Sequence, residues 1–149
     1  MIGKGGPDIP TVRVAAVIHK ENKLLLIRMK DDPWRGKWSM PSDFLRSGER
    51  IDDIVQRIGR EQCGIEVTKE QVIDVLELLI PYRNIQTHLL TLCYLASPQE
   101  ASSTVADSCK WIDVEDLLGS RSVTEMTAEL VKRNETLFRS LHLRSSQTT

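Results

Sequence analysis

The hydrophobic positions of this chain fall into short β-branched runs separated by polar breaks, with helical spacing in two places. Residues 11–19 (TVRVAAVIH) and 23–30 (KLLLIRMK) are apolar runs of strand length, and Glu21 and Asn22 between them suit a hairpin turn. Residues 31–37 (DDPWRGK) read as a loop broken by Pro33 and Gly36. Trp38, Ser39 and Met40 make a short extended piece that ends at Pro41. Ile51, Ile54, Val55 and Ile58 then recur at helical spacing. Asp52 and Asp53 place negative charge at that helix's N-terminus, and Gly64 is its terminator. Residues 72–81 (VIDVLELLIP) and 85–96 (IQTHLLTLCYLA) predict two strands joined by a turn at 82–84. A polar loop at 97–108 leads to a short strand at 109–112 and a brief helix at 113–118. Val123, Met126, Leu130, Leu137 and Leu141 put one amphipathic closing helix over residues 122–141. The order β-β-loop-α-β-β-β-α, without internal repeat, predicts a single α+β domain over residues 11–142, in which sheet and helices cover each other. Residues 1–10, rich in Gly and Pro, read as a flexible lead and 143–149 as a flexible tail.

Composition narrows the function classes. A chain of 149 residues has room for one domain with a real core. Its formal net charge of -1 gives no global basic field for nucleic acid or a membrane surface. No apolar run approaches the roughly 18 residues of a membrane span, and the N-terminus has no apolar signal core, so the expectation is a cytoplasmic protein. Cys63, Cys93 and Cys109 are odd in number and lack CxxC spacing, which suits reduced, buried thiols. Walker and GxGxxG loops, nucleophile elbows and zinc spacings are absent.

The most informative stretch runs over residues 38–65 (WSMPSDFLRSGERIDDIVQRIGREQCGI). It fits the frame G-x5-E-x7-R-E-U-x-E-E-x-G-U, with U aliphatic, without a gap. Asp43 falls at the first Gly, Glu49 at the first Glu and Arg57 at the Arg. Ile58 stands at the Glu that follows, and Gly59 at the aliphatic position. Glu61 matches the first of the paired Glu, Gln62 replaces the second, and Gly64 and Ile65 close the frame. Before it, Trp38, Pro41, Ser42 and Asp43 stand where a Trp-x-x-Pro-Gly-Gly segment is common. After it, Trp111 precedes the acidic stretch Asp113, Glu115 and Asp116. On these residues the chain resembles the Nudix family over roughly residues 11–118. The resemblance implies an α/β/α sandwich with a mixed sheet. It also implies metal-dependent hydrolysis of a phosphoanhydride in a nucleoside diphosphate linked to another group, with Mg²⁺ or Mn²⁺ as cofactor. Carried over position by position, it gives Glu61, Glu49 and Arg57 as catalytic candidates and Glu61, Gln62 and Asp43 as metal candidates.

The residues present alter that picture. On an α-helix, positions 58, 61 and 62 fall within an arc of about 100°, where three carboxylates would converge on a metal. Here only Glu61 ionises; Gln62 offers a carbonyl oxygen and Ile58 no ligand. Ile58 continues the apolar stripe, so it faces either the core or the cleft. Asp43 tolerates the positive φ that suits Gly, and its carboxylate is a candidate replacement for a lost one. Glu49 and Arg57 suit an ion pair clamping loop to helix, and Arg57 and Glu61 are i, i+4 neighbours. Glu100 and Asp107 are loop acids in the region from which the family often recruits a further ligand. Trp34 is the best-placed aromatic for stacking a base, whereas Trp38 and Trp111 suit packing on the sheet. Arg28, Arg35, Arg83, Lys37 and Arg46 are phosphate-binding candidates. His88 reads as a hydrogen-bonded sheet residue. Two functions stay open: a pyrophosphohydrolase relative whose hydrolysis is reduced or lost, or a non-catalytic nucleotide-sensing or protein-interaction module, with a homodimer as one form. A nucleotide-like small molecule is the expected partner.

Overall fold

A computed structural model describes residues 9–82, 85–100 and 104–147. The first two apolar runs form the expected hairpin, β1 (Thr11–Lys20) and β2 (Lys23–Arg28), with His19 opposite Leu24 and Glu21 taking φ 58° in the turn. Five successive residues of β1, Val14, Ala15, Ala16, Val17 and Ile18, are buried. A strand apolar on both faces must be covered on both, and β1 is the centre of the sheet. One edge of β1 runs parallel to β6 (Ile85–Pro98), which pairs antiparallel with the edge strand β5 (Val67–Tyr82). The other edge is shared: β4 (Ser42–Phe44) pairs with its first half and β2 with its end. Strand β2 also carries β3 (Trp38–Ser39) and β7 (Cys109–Asp113).

Helix α1 (Ile51–Ile58) covers one face of this mixed sheet. Its Ile54, Val55 and Ile58 pack with Val14, Ala16 and Ile18. On the other face, α3 (Glu125–Arg133) and α4 (Glu135–Gln147) pack Leu130, Val131 and Phe138 against Ala15, Val17 and Leu95. The short α2 (Val114–Leu117) adds Leu117 to that layer. The α/β/α sandwich expected of the sequence is therefore present. Trp38 and Trp111 pack partly buried against the two cores. All three cysteines are buried and unpaired by disulfides, and burial pushes the Cys93 thiol up to about 12.

Three elements differ from the sequence reading. The single closing helix is two helices, broken at Asn134, whose φ of -117° leaves the helical region. The Asn134 side chain donates to Leu130 O at 2.9 Å and to Asp74 Oδ2 at 2.8 Å, capping α3 and tying it to β5. Strand β5 begins at Val67 rather than at residue 72, because register shifts between Lys69 and Asp74 interrupt its alternation. Strand β4, three residues long, was not anticipated at all.

The start of α3 is joined to β3 by buried hydroxyls. Thr124 is the N-cap, its Oγ1 accepting from the Thr127 N–H. The same hydroxyl donates to Ser39 Oγ at 3.0 Å, and Met40 N–H donates to Thr127 Oγ1 at 3.1 Å. Thr124→Ala removes the cap and leaves these polar groups short of a partner. It is expected to cost about 2 kcal/mol, read as a lowered urea midpoint at unchanged slope.

Candidate functional site

The loop and helix of residues 42–65 carry the residues singled out by sequence. Ile58 is fully buried, as are Ile54 and Val55 beside it. Of its two open readings, the structure shows the core. Immediately after Ile58 the backbone widens into a π-helical turn, Gly59–Cys63, which ends at Gly64 in the left-handed conformation (φ 72°). Gly59 lies against β5. A Cβ built on it would sit 2.9 Å from Val67 Cγ2 and 3.0 Å from Ile65 O. The aliphatic side chain that the frame places at 59 is thus supplied from 58, and Val67 fills the space at 59. The arc calculated for positions 58, 61 and 62 assumes α geometry throughout, which this turn does not keep.

The polar groups gather around Arg57, which is only 12 % exposed. Its Nε donates to Glu49 Oε2 at 2.8 Å and its Nη2 to Glu49 Oε1 at 3.1 Å, a two-point fork. Its Nη1 donates to Asp43 Oδ2 at 2.6 Å. The second oxygen of Asp43 accepts the Phe44 N–H at 2.7 Å. Burial would push the Asp43 carboxyl up, but these hydrogen bonds outweigh it and hold its pKa below the ordinary value. Hydrogen bonds from Arg57 likewise lower Glu49. In return Glu49, and then Asp43, raise the Arg57 pKa despite its burial. Asp43 does not take the glycine-like backbone expected of it. It is an extended residue of β4 opposite Val14, and Gly48 (φ 81°) supplies the positive-φ turn before α1.

Glu61 lies 3.6 Å from Arg57 and is 58 % exposed. Gln62 turns its amide the other way: Nε2 donates to Ser42 O at 2.8 Å, while Oε1 is buried with no partner among the described residues. A dication needs several oxygen ligands, and Mg²⁺ holds carboxylates in near-ideal octahedral geometry. No group of three or more His, Cys, Asp or Glu side chains suited to a metal occurs among the described residues. Asp43 and Glu49 are both taken up by Arg57. This donor set does not fit a cluster of carboxylate-bound metals. Glu100 and Asp107 belong to no such group either. His88 bonds Glu77 across the β5–β6 pair at 2.7 Å, as a sheet residue would.

On the opposite face of β4 lies a cleft of about 390 Å³. Trp34, Leu78, Pro81 and Met126 give it apolar walls, and Arg13, Lys37 and Ser42 give it polar ones. The sequence candidate Trp34 lines this cleft. Arg28 and Arg35 are exposed and outside this lining, with Arg35 instead 3.8 Å from Asp32. Arg83 lies outside the described residues. The sequence reading overlooked Arg13, although a charged residue inside the apolar run TVRVAAVIH was a visible signal. Met126, a further wall of the cleft, reads in the sequence only as part of a helix stripe.

A sheet covered on both faces, with a loop, Arg-anchored helix and closing Gly on one side, defines a Nudix-type domain. The chain matches the family model of the NUDIX domain over residues 9–135 and belongs to the Nudix family. It is 27% identical over 108 residues to an ADP-ribose pyrophosphatase of Methanocaldococcus jannaschii, a match covering 72% of this chain and 63% of that protein. It is 24% identical over 128 residues to the phosphatase NudJ of Escherichia coli K12, covering 83% and 82%. Among solved structures it superimposes on a MutT NUDIX hydrolase from Burkholderia pseudomallei with a TM-score of 0.69 at 22% identity, covering 84% of this chain and 98% of that one. A MutT protein from Methanosarcina mazei Go1 gives 0.71 at 17% identity, covering 87% and 96%. These superpositions show the fold. No helix among the described residues is long and apolar enough to cross a membrane.

Proposed function

We propose that this Nudix domain binds a nucleoside diphosphate derivative in the cleft beside β4 and hydrolyses it weakly or not at all. One observation carries the reading: Arg57 takes up the carboxylates of both Asp43 and Glu49 while Ile58 is spent on the core, leaving Glu61, exposed and 3.6 Å from Arg57, as the one acid at the three helix positions 58, 61 and 62. Nudix hydrolases generally use divalent metals, and charge neutralisation by such ions is worth several kcal/mol in phosphoryl chemistry. A domain that offers a dication a single exposed carboxylate forfeits most of that. The names of the relatives, an ADP-ribose pyrophosphatase and a phosphatase, support a phosphorylated, nucleotide-like ligand. The apolar walls around Trp34, next to the cations Arg13 and Lys37, suit a base joined to an anionic group.

The test is a turnover panel of nucleoside triphosphates, ADP-ribose, dinucleoside polyphosphates and capped nucleotides, with Mg²⁺ and with Mn²⁺. The expected rates lie about a thousandfold below those of a Nudix hydrolase bearing all three helix carboxylates, assayed in parallel. Robust turnover that Glu61→Gln abolishes would overturn the proposal.

A further inference from the structure

Arg13 brings into the cleft a charge that no neighbour neutralises at close range. It stands on β1 opposite Phe44 of β4 and beside Thr91 of β6. Its Nη2 donates to Ser42 Oγ at 2.9 Å, and the guanidinium lies 4.5 Å from the centre of the Phe44 ring. A guanidinium has five N–H donors, and this is the one side-chain acceptor Arg13 has among the described residues. It takes part in none of the ion pairs formed by those residues. Asp43, the acid whose field it feels, already has both oxygens on Arg57 and the Phe44 N–H. The acids of the cleft lining, Asp31, Asp32 and Glu125, are exposed, so water screens them.

A half-buried cation accompanied by a hydroxyl and a ring is costly unless an anion completes it. A planar fork of donors suits the oxygens of a phosphoryl group. We propose that Arg13 is the anion anchor of the cleft, holding the phosphoryl oxygens of a nucleoside phosphate whose base lies against Trp34. The identity of the base end rests on the nucleotide reading above; the anion site stands on the geometry of Arg13, Ser42 and Phe44.

The experiment is an amide NMR titration in metal-free buffer containing EDTA. The probes are pyrophosphate, adenosine and ADP, added to the wild type, Arg13→Met and Arg13→Lys. Met keeps a flexible stem over Phe44 and removes the charge, and the wild-type spectrum elsewhere reports that the variant is folded. Pyrophosphate is expected to shift the amides around residues 13 and 42–44. Its apparent Kd is expected to rise at least about tenfold in Arg13→Met and less in Arg13→Lys. ADP is expected to lose the same factor, and adenosine to bind wild type and Arg13→Met alike. Equal loss of adenosine and ADP would mean that Arg13 only shapes the wall, and would overturn the anchor. So would pyrophosphate and ADP binding undiminished in Arg13→Met, which leaves the nucleotide reading standing. Pyrophosphate binding that depends on Arg13, with neither adenosine nor ADP bound, supports the anchor and removes the nucleotide reading. No response to pyrophosphate or ADP in the wild type overturns the anchor.

Discussion

Ile58→Glu is expected to destabilise the domain by at least about 4 kcal/mol, and not to rebuild a metal site. Restoring a motif carboxylate looks like a gain of function on the frame alone. In the fold, Ile58 is fully buried against Ile54, Val55, Cys63, Ile65 and Val67. Removing its aliphatic chain costs about 2–4 kcal/mol. The incoming carboxyl must then either bury a charge or stay protonated, at about 1.4 kcal/mol for each unit its pKa rises. At about 3 °C per kcal/mol the melting temperature should fall by about 12 °C or more. Moving the aliphatic as well, as Ile58→Glu with Gly59→Leu, does not rescue the variant. A Cβ at Gly59 would stand 2.9 Å from Val67 Cγ2 and 3.0 Å from Ile65 O. Val67→Ala removes the first contact but not the backbone one, so the triple variant is expected to melt no higher than Ile58→Glu alone. Differential scanning calorimetry with and without Mn²⁺ reads both effects. Wild-type melting and tight Mn²⁺ binding by Ile58→Glu would show that this helix face meets the cleft after all.

The same residues show what could be read without the fold. The strands of the sheet centre were legible because β1 is covered on both faces, so its apolar run is continuous and hard to mistake. The loop-helix frame was legible from Glu49, Arg57 and Gly64, whose spacing survives even where chemistry has changed. Ile58 stayed ambiguous because two rules of equal standing disagreed on it. The motif pointed it at a metal, and helical periodicity pointed it at the core. Periodicity wins, since Ile58 ends α1 on the buried face of Ile54 and Val55; the π turn at Gly59–Cys63 displaces only the positions after it, and no short-range pattern announces such a turn. Asn134 escaped notice for a related reason: α3 and α4 bury residues on the same side of the sheet, so their periodicities join across the break. The cleft was least legible. Arg13 meets Ser42 and Phe44 only because β4 pairs with β1, 29 residues apart for the Arg13–Ser42 contact, and a three-residue strand has too little pattern to reveal its partner.

Arg57→Ala should cost about 3 kcal/mol at neutral pH, and most of that should disappear in acid. The side chain is a partly buried cation bound at two points to Glu49 and at one to Asp43. Its loss leaves two carboxylates, 14 % and 30 % exposed, without their donor. Both have folded-state pKa values below the ordinary range, and reference unfolded values are about 4. The stabilisation they give is therefore complete above pH ~4 and is lost as pH falls through their lower folded values. In Arg57→Ala the sign reverses: with the cation gone, burial and mutual repulsion favour the protonated acids, so acid relieves the variant while it weakens the wild type. Urea denaturation at pH 7 and near pH 3 should show the gap closing from both sides. Arg57→Lys, which keeps the charge and loses the fork, should recover part of the stability at pH 7. A gap of equal size at both pH values would mean that Arg57 holds the loop by packing its stem, and that the charges of Asp43 and Glu49 are not what its guanidinium is there to bind.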